Sequence, residues 1–196
     1  PDGVLWRTFP PARVLGCVLY PWAEIVRPGV VEQNTSNCFI LGEPNGTKRA
    51  RTVDIARLMQ KGGLDAPLSR DIRSDLWGKL WGNLSCNPVS VLTGATIGRI
   101  ASEPGLRATV RAMMLEAQAV AEKLGAIFPM DVEKRIDIAG DAGARKTSML
   151  QDYERGRPLE LDALLGAVIE LGEMTGHTLP LCRAVLAMAR ERATNR

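Results

Sequence analysis

The chain has 196 residues, 45% of them hydrophobic, and 25 basic against 22 acidic side chains for a net charge of +3. That length allows one large domain or two small ones around a substantial core, and so even a charge balance excludes a nucleic-acid partner argued from electrostatics alone. Four scattered cysteines, Cys17, Cys38, Cys86 and Cys182, form no Cys-x-x-Cys pair, and His177 is the single histidine, a pattern poor for a disulfide framework or a metal site and ordinary in a reducing cytoplasm. No apolar run approaches the ~18 residues of a membrane helix, no signal peptide is read at the start, and no repeat or low-complexity tract is present. A soluble cytoplasmic protein without membrane partners is expected.

Residues 1–11 carry three prolines, Pro1, Pro10 and Pro11, and read as an irregular lead-in. The run Val14-Leu15-Gly16-Cys17-Val18-Leu19-Tyr20 suits a strand buried on both faces. Glu24-Ile25-Val26, Val30-Val31-Glu32 and Cys38-Phe39-Ile40-Leu41, separated by turn signals at Pro28-Gly29 and from Asn34 to Asn37, read as an antiparallel meander closed by Pro44-Asn45-Gly46. Thr47 is placed to cap a helix over residues 49–61, with Ala50, Val53, Ile55, Ala56 and Met59 as its apolar face and Gly62-Gly63 as its stop. Residues 64–68 form a short extended link containing Pro67.

Beyond Ser69, the expected cap of the next helix, no strand is predicted. Asp71 suits that helix's first turn, and Pro88 should kink or restart it. After a break at Gly94, Ser102 and Pro104 open a long helix to about Gly125 with Leu106, Val110, Met113, Met114, Ala117, Val120 and Leu124 inward. Asp131 opens a shorter helix before the glycine-bearing segment 139–144. Helices over residues 159–176 and 180–192 complete a bundle. The basic residues from Arg183 to Arg196 read as one solvated face. The methionines Met113, Met114, Met149, Met174 and Met188 read as core filler, and His177, in a turn, as structural.

The most informative stretch is Leu76-Trp77-Gly78-Lys79-Leu80-Trp81-Gly82-Asn83-Leu84-Ser85-Cys86-Asn87. On a helix, Lys79, Asn83 and Asn87 fall at i, i+4 and i+8, so a cation and two carboxamides share one face about 6 Å apart along the axis. The flanking Leu76, Trp77, Leu80, Trp81 and Leu84 look buried. A buried amide without a partner costs roughly 1–3 kcal/mol, so protein, water or a ligand must answer these groups; helix packing beside Pro88 is the structural alternative. Downstream, Ser148 stands three residues before Gln151 as in a capping box. Glu160, Leu164 and Val168 make one i, i+4, i+8 row, which puts a carboxylate at the end of an apolar stripe, in want of Lys79 or a ligand. Asp162 reads as a solvent-facing first-turn charge.

The run from Glu32 to Pro44, the Lys79, Asn83 and Asn87 spacing, and the stretch from Lys146 to Asp162 with Ser148 and Glu160 together resemble the ketopantoate reductase (2-dehydropantoate 2-reductase) family. The resemblance covers essentially all of this chain and about the last two thirds of a family member. It implies a mostly α chain: residues 1–68 as the last strands of a Rossmann-like dinucleotide-binding domain, and residues 69–196 as an all-helical substrate domain. The family's Gly-x-Gly-x-x-Gly turn and its first-domain asparagine motif are not found; Gly42, Gly46, Gly62, Gly63, Gly78 and Gly82 do not compose the turn. The residues that bind the cofactor, NADPH in the family, are therefore expected outside this chain.

By the same resemblance, Lys79 is the general acid, Asn83 and Asn87 hydrogen-bond the substrate, Ser148 contacts its carboxylate, and Glu160 lies in the active site on the hydroxyl side. The implied reaction is NADPH-dependent reduction of 2-dehydropantoate to pantoate, in pantothenate and coenzyme A biosynthesis, by a protein that could be a homodimer. This chain would be a piece of a longer protein, inactive alone. Trp81 and Gly82, where aliphatic residues are usual, and Arg145-Lys146 before Thr147 bear on which 2-keto acid fits. The rivals are a related reductase of another 2-keto or 3-hydroxy acid, and a non-enzymatic helical dimerisation or regulatory module, which a glycine-rich strand-turn-helix encoded upstream of Pro1 would count against.

Overall fold

The computed structural model describes residues 7–33 and 36–195, so most of the predicted lead-in (residues 1–6), Asn34 in the second turn signal, and Arg196 lie outside the described residues. The chain divides into two compact units with the boundary between Leu76 and Trp77.

In the first unit, a 3-10 turn at Pro11–Arg13 leads into β1, Gly16–Leu19. Its partner is β4, Phe39–Gly42, antiparallel with Gly16 opposite Gly42 and Leu19 opposite Phe39. Between them β2, Ala23–Arg27, and β3, Val30–Gln33, form a separate hairpin. The expected single meander is thus two two-stranded ribbons. The reason lies in burial: Ile25 and Val31, opposite one another, are 65% and 64% exposed, so the hairpin has no inward face to align with β4. The expectation of a first strand buried on both faces is also corrected, since only Val18 of β1 is buried.

β4 runs instead into a crossover. The helix α1, Ala50–Lys61, follows it, and the link after α1 returns parallel to β4: Phe39 N–H bonds the Asp65 carbonyl at 2.7 Å, Leu41 N–H the Pro67 carbonyl at 3.0 Å, and Ser69 N–H the Leu41 carbonyl at 2.7 Å. Parallel pairing needs such a helical crossover. Leu41, Ala56 and Ala66 form its small core. Thr47 does not cap α1; its hydroxyl bonds Asn45 Oδ1 at 2.7 Å, and Arg49 is the cap residue without a side-chain bond. Ile55, expected inward, is exposed, and Thr52 is buried with Ala56 instead.

The second unit is helical. α2, Ile72–Thr93, begins in the first unit and supplies the longest helix. Its cap is Asp71, whose Oδ1 accepts Ser74 N–H at 3.2 Å; Ser69, the expected cap, accepts Asp71 N–H at 3.0 Å one step earlier. α2 runs on through Pro88 as one helix, without the expected restart. A mid-helix proline costs roughly 3 kcal/mol, and here the turn around it is buried in the core with Leu84, Val89 and Val91, whose packing offsets the lost bond. Gly94, at φ +71°, then ends the helix.

A short α3, Ile97–Ser102, precedes α4, Pro104–Lys123, so Ser102 closes one helix instead of opening the next; the cap of α4 is Glu103, accepting Leu106 N–H at 2.6 Å. Val110, Met113, Met114, Ala117 and Val120 face the core as expected, while Leu124 is exposed. α5, Val132–Gly140, starts at Asp131, which accepts Lys134 N–H at 2.8 Å. α6, Ser148–Glu154, and a single π turn, Asp162–Gly166, lead into α7, Ala167–Thr175, and α8, Pro180–Thr194.

The first amides of α8 are held from α4: both Leu181 and Cys182 N–H donate to the Glu116 carboxylate at 2.9 Å. Trp81 and Leu84 of α2 join Met113, Met114, Leu165, Leu179 and Cys182 in one core, and Trp81 Nε1 donates to the Met114 carbonyl at 2.6 Å. Met174 and Met188 are exposed rather than core filler. His177 Nδ1 lies 3.1 Å from Thr175 Oγ1 in the turn after α7. Arg183 and Arg190 of α8 pair with Glu173 and Asp162, and Arg192 stacks 5.5 Å from the Tyr153 ring. Among the described residues no helix is long and apolar enough to cross a membrane.

Candidate active site

The turn spacing of α2 puts Lys79, Asn83 and Asn87 in one row, as its sequence predicts. Trp81 and Leu84, on the other side, are buried, Trp77 and Leu80 are half-buried, and Leu76 is exposed, against expectation. Trp81 is fixed by its bond to α4 and by Phe128, whose ring centroid lies 4.2 Å away. This anchoring sets the rotation of α2 and so the direction of the polar row. Lys79 and Asn83 are half-buried and Asn87 is 6% exposed. No fully buried side-chain nitrogen or oxygen among the described residues lacks a partner. Neither carboxamide is hydrogen-bonded by a described residue, so both amides open onto the surface of the unit.

A second element is pinned to the C-terminal end of this row. Ser90, one turn past Asn87, donates its hydroxyl to the Asn87 carbonyl at 2.7 Å and stands 2.5 Å from Thr147 Oγ1. With the Ser90 proton spent on that carbonyl, Thr147 is the donor between the two hydroxyls, while its oxygen accepts Leu150 N–H at 3.1 Å. Thr147, not Ser148, is therefore the cap of α6. Ser148 occupies the first helical position with its side chain exposed, beside the residue that touches the α2 row. Thr147 and Ser90, both buried, are the pair that sequence reasoning missed; a capping-box pattern shifted by one residue was the only available signal for Thr147, and nothing local marked Ser90.

The loop entering α6 is held as well. Ile97 and Gly98 N–H of α3 donate to the Arg145 and Gly143 carbonyls at 2.9 and 2.8 Å. A Cβ on Gly98 would stand 2.6 Å from the Gly143 oxygen, so this approach requires glycine. Cys86, adjacent to the row, is buried, and burial pushes its thiol pKa up.

Glu160 is exposed and makes no ion pair among the described residues, with Lys79 or with any other cation. It does not end the apolar stripe. The π turn shifts the spacing, and the buried positions run Leu161, Leu165, Val168, Ile169. Its acidic neighbours differ: Asp152 pairs with Arg157, Glu154 with Lys146, and the exposed Asp162 with Arg190. The structure thus joins Lys79, Asn83 and Asn87 on one helix face, brings Ser148 beside it through Thr147, and leaves Glu160 on the loop before the π turn.

A family model for the C-terminal part of ketopantoate reductase (PanE/ApbA) matches residues 71–193. The chain belongs to the ketopantoate reductase family. It is 50% identical to a 2-dehydropantoate 2-reductase of Mesorhizobium japonicum over 100% of this chain and 60% of that relative. Its fold matches a Ralstonia solanacearum crystal structure assigned as a ketopantoate reductase, at 40% identity and a TM-score of 0.91, over 97% of this chain and 58% of the other. A 2-dehydropantoate 2-reductase of Geobacter metallireducens matches at 27% identity and a TM-score of 0.88, over 95% and 63%. The chain therefore spans about 60% of the length of the first of these ketopantoate reductase relatives. Short strands followed by a helical domain agree with a C-terminal portion of that family.

A nicotinamide dinucleotide, which such reductases imply, needs a strand-to-helix turn with free amides for its diphosphate. The turn between β4 and α1 does not fit. It reads Gly42-Glu43-Pro44-Asn45-Gly46, and the Glu43 carboxylate, 3% exposed, occupies it. Arg51 Nε at 2.7 Å and Thr52 Oγ1 at 2.6 Å bond that carboxylate. With Arg51 first and Thr52 next, these hold its pKa down to about 2. The Glu43–Arg51 pair fills this turn, so no step of the chemistry is routed through it.

Proposed function

We propose that this chain supplies the substrate-binding and proton-donating part of an NADPH-dependent 2-dehydropantoate 2-reductase, with residues 1–68 completing a cofactor domain and residues 69–196 forming the substrate domain. The observation that carries this reading is the α2 row: Asn83 and Asn87, neither hydrogen-bonded by a described residue, in line with Lys79, and Ser148 at the start of a helix whose cap Thr147 is held one turn past Asn87. Reduction of a 2-keto acid adds a hydride to the carbonyl carbon and a proton to its oxygen. A reduced nicotinamide would supply the hydride; the proton comes from the Lys79 ammonium, which also stabilises the developing alkoxide. Asn83 and Asn87 hold the substrate by hydrogen bonds, Ser148 meets the carboxylate, and Glu160 the hydroxyl side. Four cysteines outside any disulfide suit a cytoplasmic setting, and a homodimer is the proposed assembly.

The experiment is NADPH oxidation with ketopantoate by the protein together with whatever its gene encodes before Pro1, beside the same protein carrying Lys79→Ala. Turnover that falls about 10²–10⁴-fold in the variant is the expected result for loss of a general acid. NADPH binding without ketopantoate turnover moves the substrate to another 2-keto acid, and absence of NADPH binding overturns the enzymatic reading in favour of a helical module.

A further inference from the structure

The sequence pairs Gln151 with Ser148 as a capping box, and the structure releases it from that role. With Thr147 as the cap of α6, the position that would reach back to it is Leu150, and Leu150 is buried. Gln151 keeps its place in the backbone, where its N–H bonds the Thr147 carbonyl and its carbonyl accepts Arg155 N–H, both at 3.1 Å. Its carboxamide is half-buried and is hydrogen-bonded by no described residue.

The other polar side chains of α6, Ser148 apart, are answered within the unit. Asp152 pairs with Arg157, both carboxylate oxygens of Glu154 take Lys146 at 2.7 and 2.8 Å, and the Tyr153 ring carries Arg192. Ser148 and Gln151 are the two left over. They stand three residues apart on the helix, which sets their Cβ atoms about 5–6 Å from each other on one face. A hydroxyl and a carboxamide at that spacing can meet a single small group between them.

A carboxylate accepts through two oxygens with about four lone-pair sites, whereas one serine hydroxyl gives a single proton. A carboxylate at Ser148 therefore wants further donors. The cations around α6 are already paired, Lys146 with Glu154 and Arg157 with Asp152, and Arg145 and Arg155 have partners of their own. The donor that remains one turn from Ser148 is the amide nitrogen of Gln151. We propose that Gln151 is a second contact for the carboxylate of the 2-keto acid, its Nε2 donating to the oxygen that the Ser148 hydroxyl does not take. The proposal rests on the reading that gives Ser148 the carboxylate.

The test measures KM and kcat for ketopantoate in the full-length protein as wild type, Gln151→Ala, Gln151→Glu and Ser148→Ala, from about pH 5 to about pH 8, with thermal unfolding of each to show that it is folded. Gln151→Ala is expected to raise KM about 10–100-fold, the loss of a hydrogen bond to a charged group, with kcat within about threefold. Gln151→Glu keeps the shape and sets a like charge against the substrate. Its KM at about pH 8 should exceed that of Gln151→Ala and fall towards it as the new carboxyl takes up a proton near about pH 5. A merely structural glutamine would not give that pH dependence. A KM within about threefold of wild type in folded Gln151→Ala, or a Gln151→Glu variant no worse than Gln151→Ala at the higher pH, overturns the proposal. Ser148→Ala keeps the two readings apart. A KM raised there but not in Gln151→Ala sinks the proposal alone, whereas a KM raised in Gln151→Ala but not there sustains Gln151 and removes Ser148 from the carboxylate. If wild type does not turn over ketopantoate, the functional reading has failed by itself, and calorimetric binding of pyruvate decides for Gln151: binding by wild type that Gln151→Ala loses sustains the contact, and equal or absent binding overturns it.

Discussion

Two regions of this chain hold buried polar groups, and they resolve them in opposite ways. After β4, the Glu43 carboxylate is matched within its own unit by Arg51 and Thr52, and Arg51 reaches on to the carbonyls of Ala12 and Val14. On α2, Asn83 and Asn87 are presented on a rigid helix and left without a protein partner among the described residues. A polar group matched internally fixes structure; one presented and unmatched on a well-packed element points to a ligand.

The sharpest way to break this contrast is Asn87→Ala. Because the carboxamide gives nothing to the described fold, its loss should change the free energy of unfolding by less than about 1 kcal/mol, yet lower kcat/KM for the keto acid roughly tenfold or more. Urea unfolding and steady-state kinetics on the same preparation check it, and a variant that loses stability instead would place Asn87 with Glu43. Thr147→Val tests the intermediate case, a buried hydroxyl that is matched internally and also positions Ser148. The missing cap should cost about 1 kcal/mol in urea unfolding, with a modest rise in KM, and Thr147→Ser should restore both.

The smallest effect is in pH. Glu43 has its pKa lowered from the ordinary 4.5 to about 2 by the Arg51 and Thr52 bonds. A depressed carboxylate stabilises the fold fully above its unfolded value and loses that contribution as pH falls through the folded value. The urea midpoints of wild type and Glu43→Gln should therefore differ at pH 6 and converge between pH 4.5 and 2.

What the sequence made legible was what depends on one period. The α2 row follows from 3.6 residues per turn, and the change from strands to helices after Ser69 follows from patterning. The caps were harder: at Thr47, Ser69, Ser102 and Ser148 the serine or threonine was in the right neighbourhood, but Arg49, Asp71, Glu103 and Thr147 took the position. Which oxygen reaches the free amide is decided by the entry path of the chain, not by residue type. The π turn at Asp162–Gly166 leaves no composition signal, and it undid the Glu160 row. Ser90 with Thr147, and Gly82 with Arg135, are pairs separated by more than 50 residues, and no local pattern announces them. A restart was expected at Pro88 because the lost hydrogen bond was counted without the core packing that offsets it.

The carboxylate of Glu116 at the head of α8 has a consequence for the order in which the molecule assembles. The first amides of that helix are answered from 65 and 66 positions upstream, so α8 cannot be completed from its own sequence. Its first turn closes only when α4 is already in place, which ties the final helix to a long-range loop closure. During synthesis the first turn of α8 lacks the partners of its Leu181 and Cys182 amides until it docks on α4.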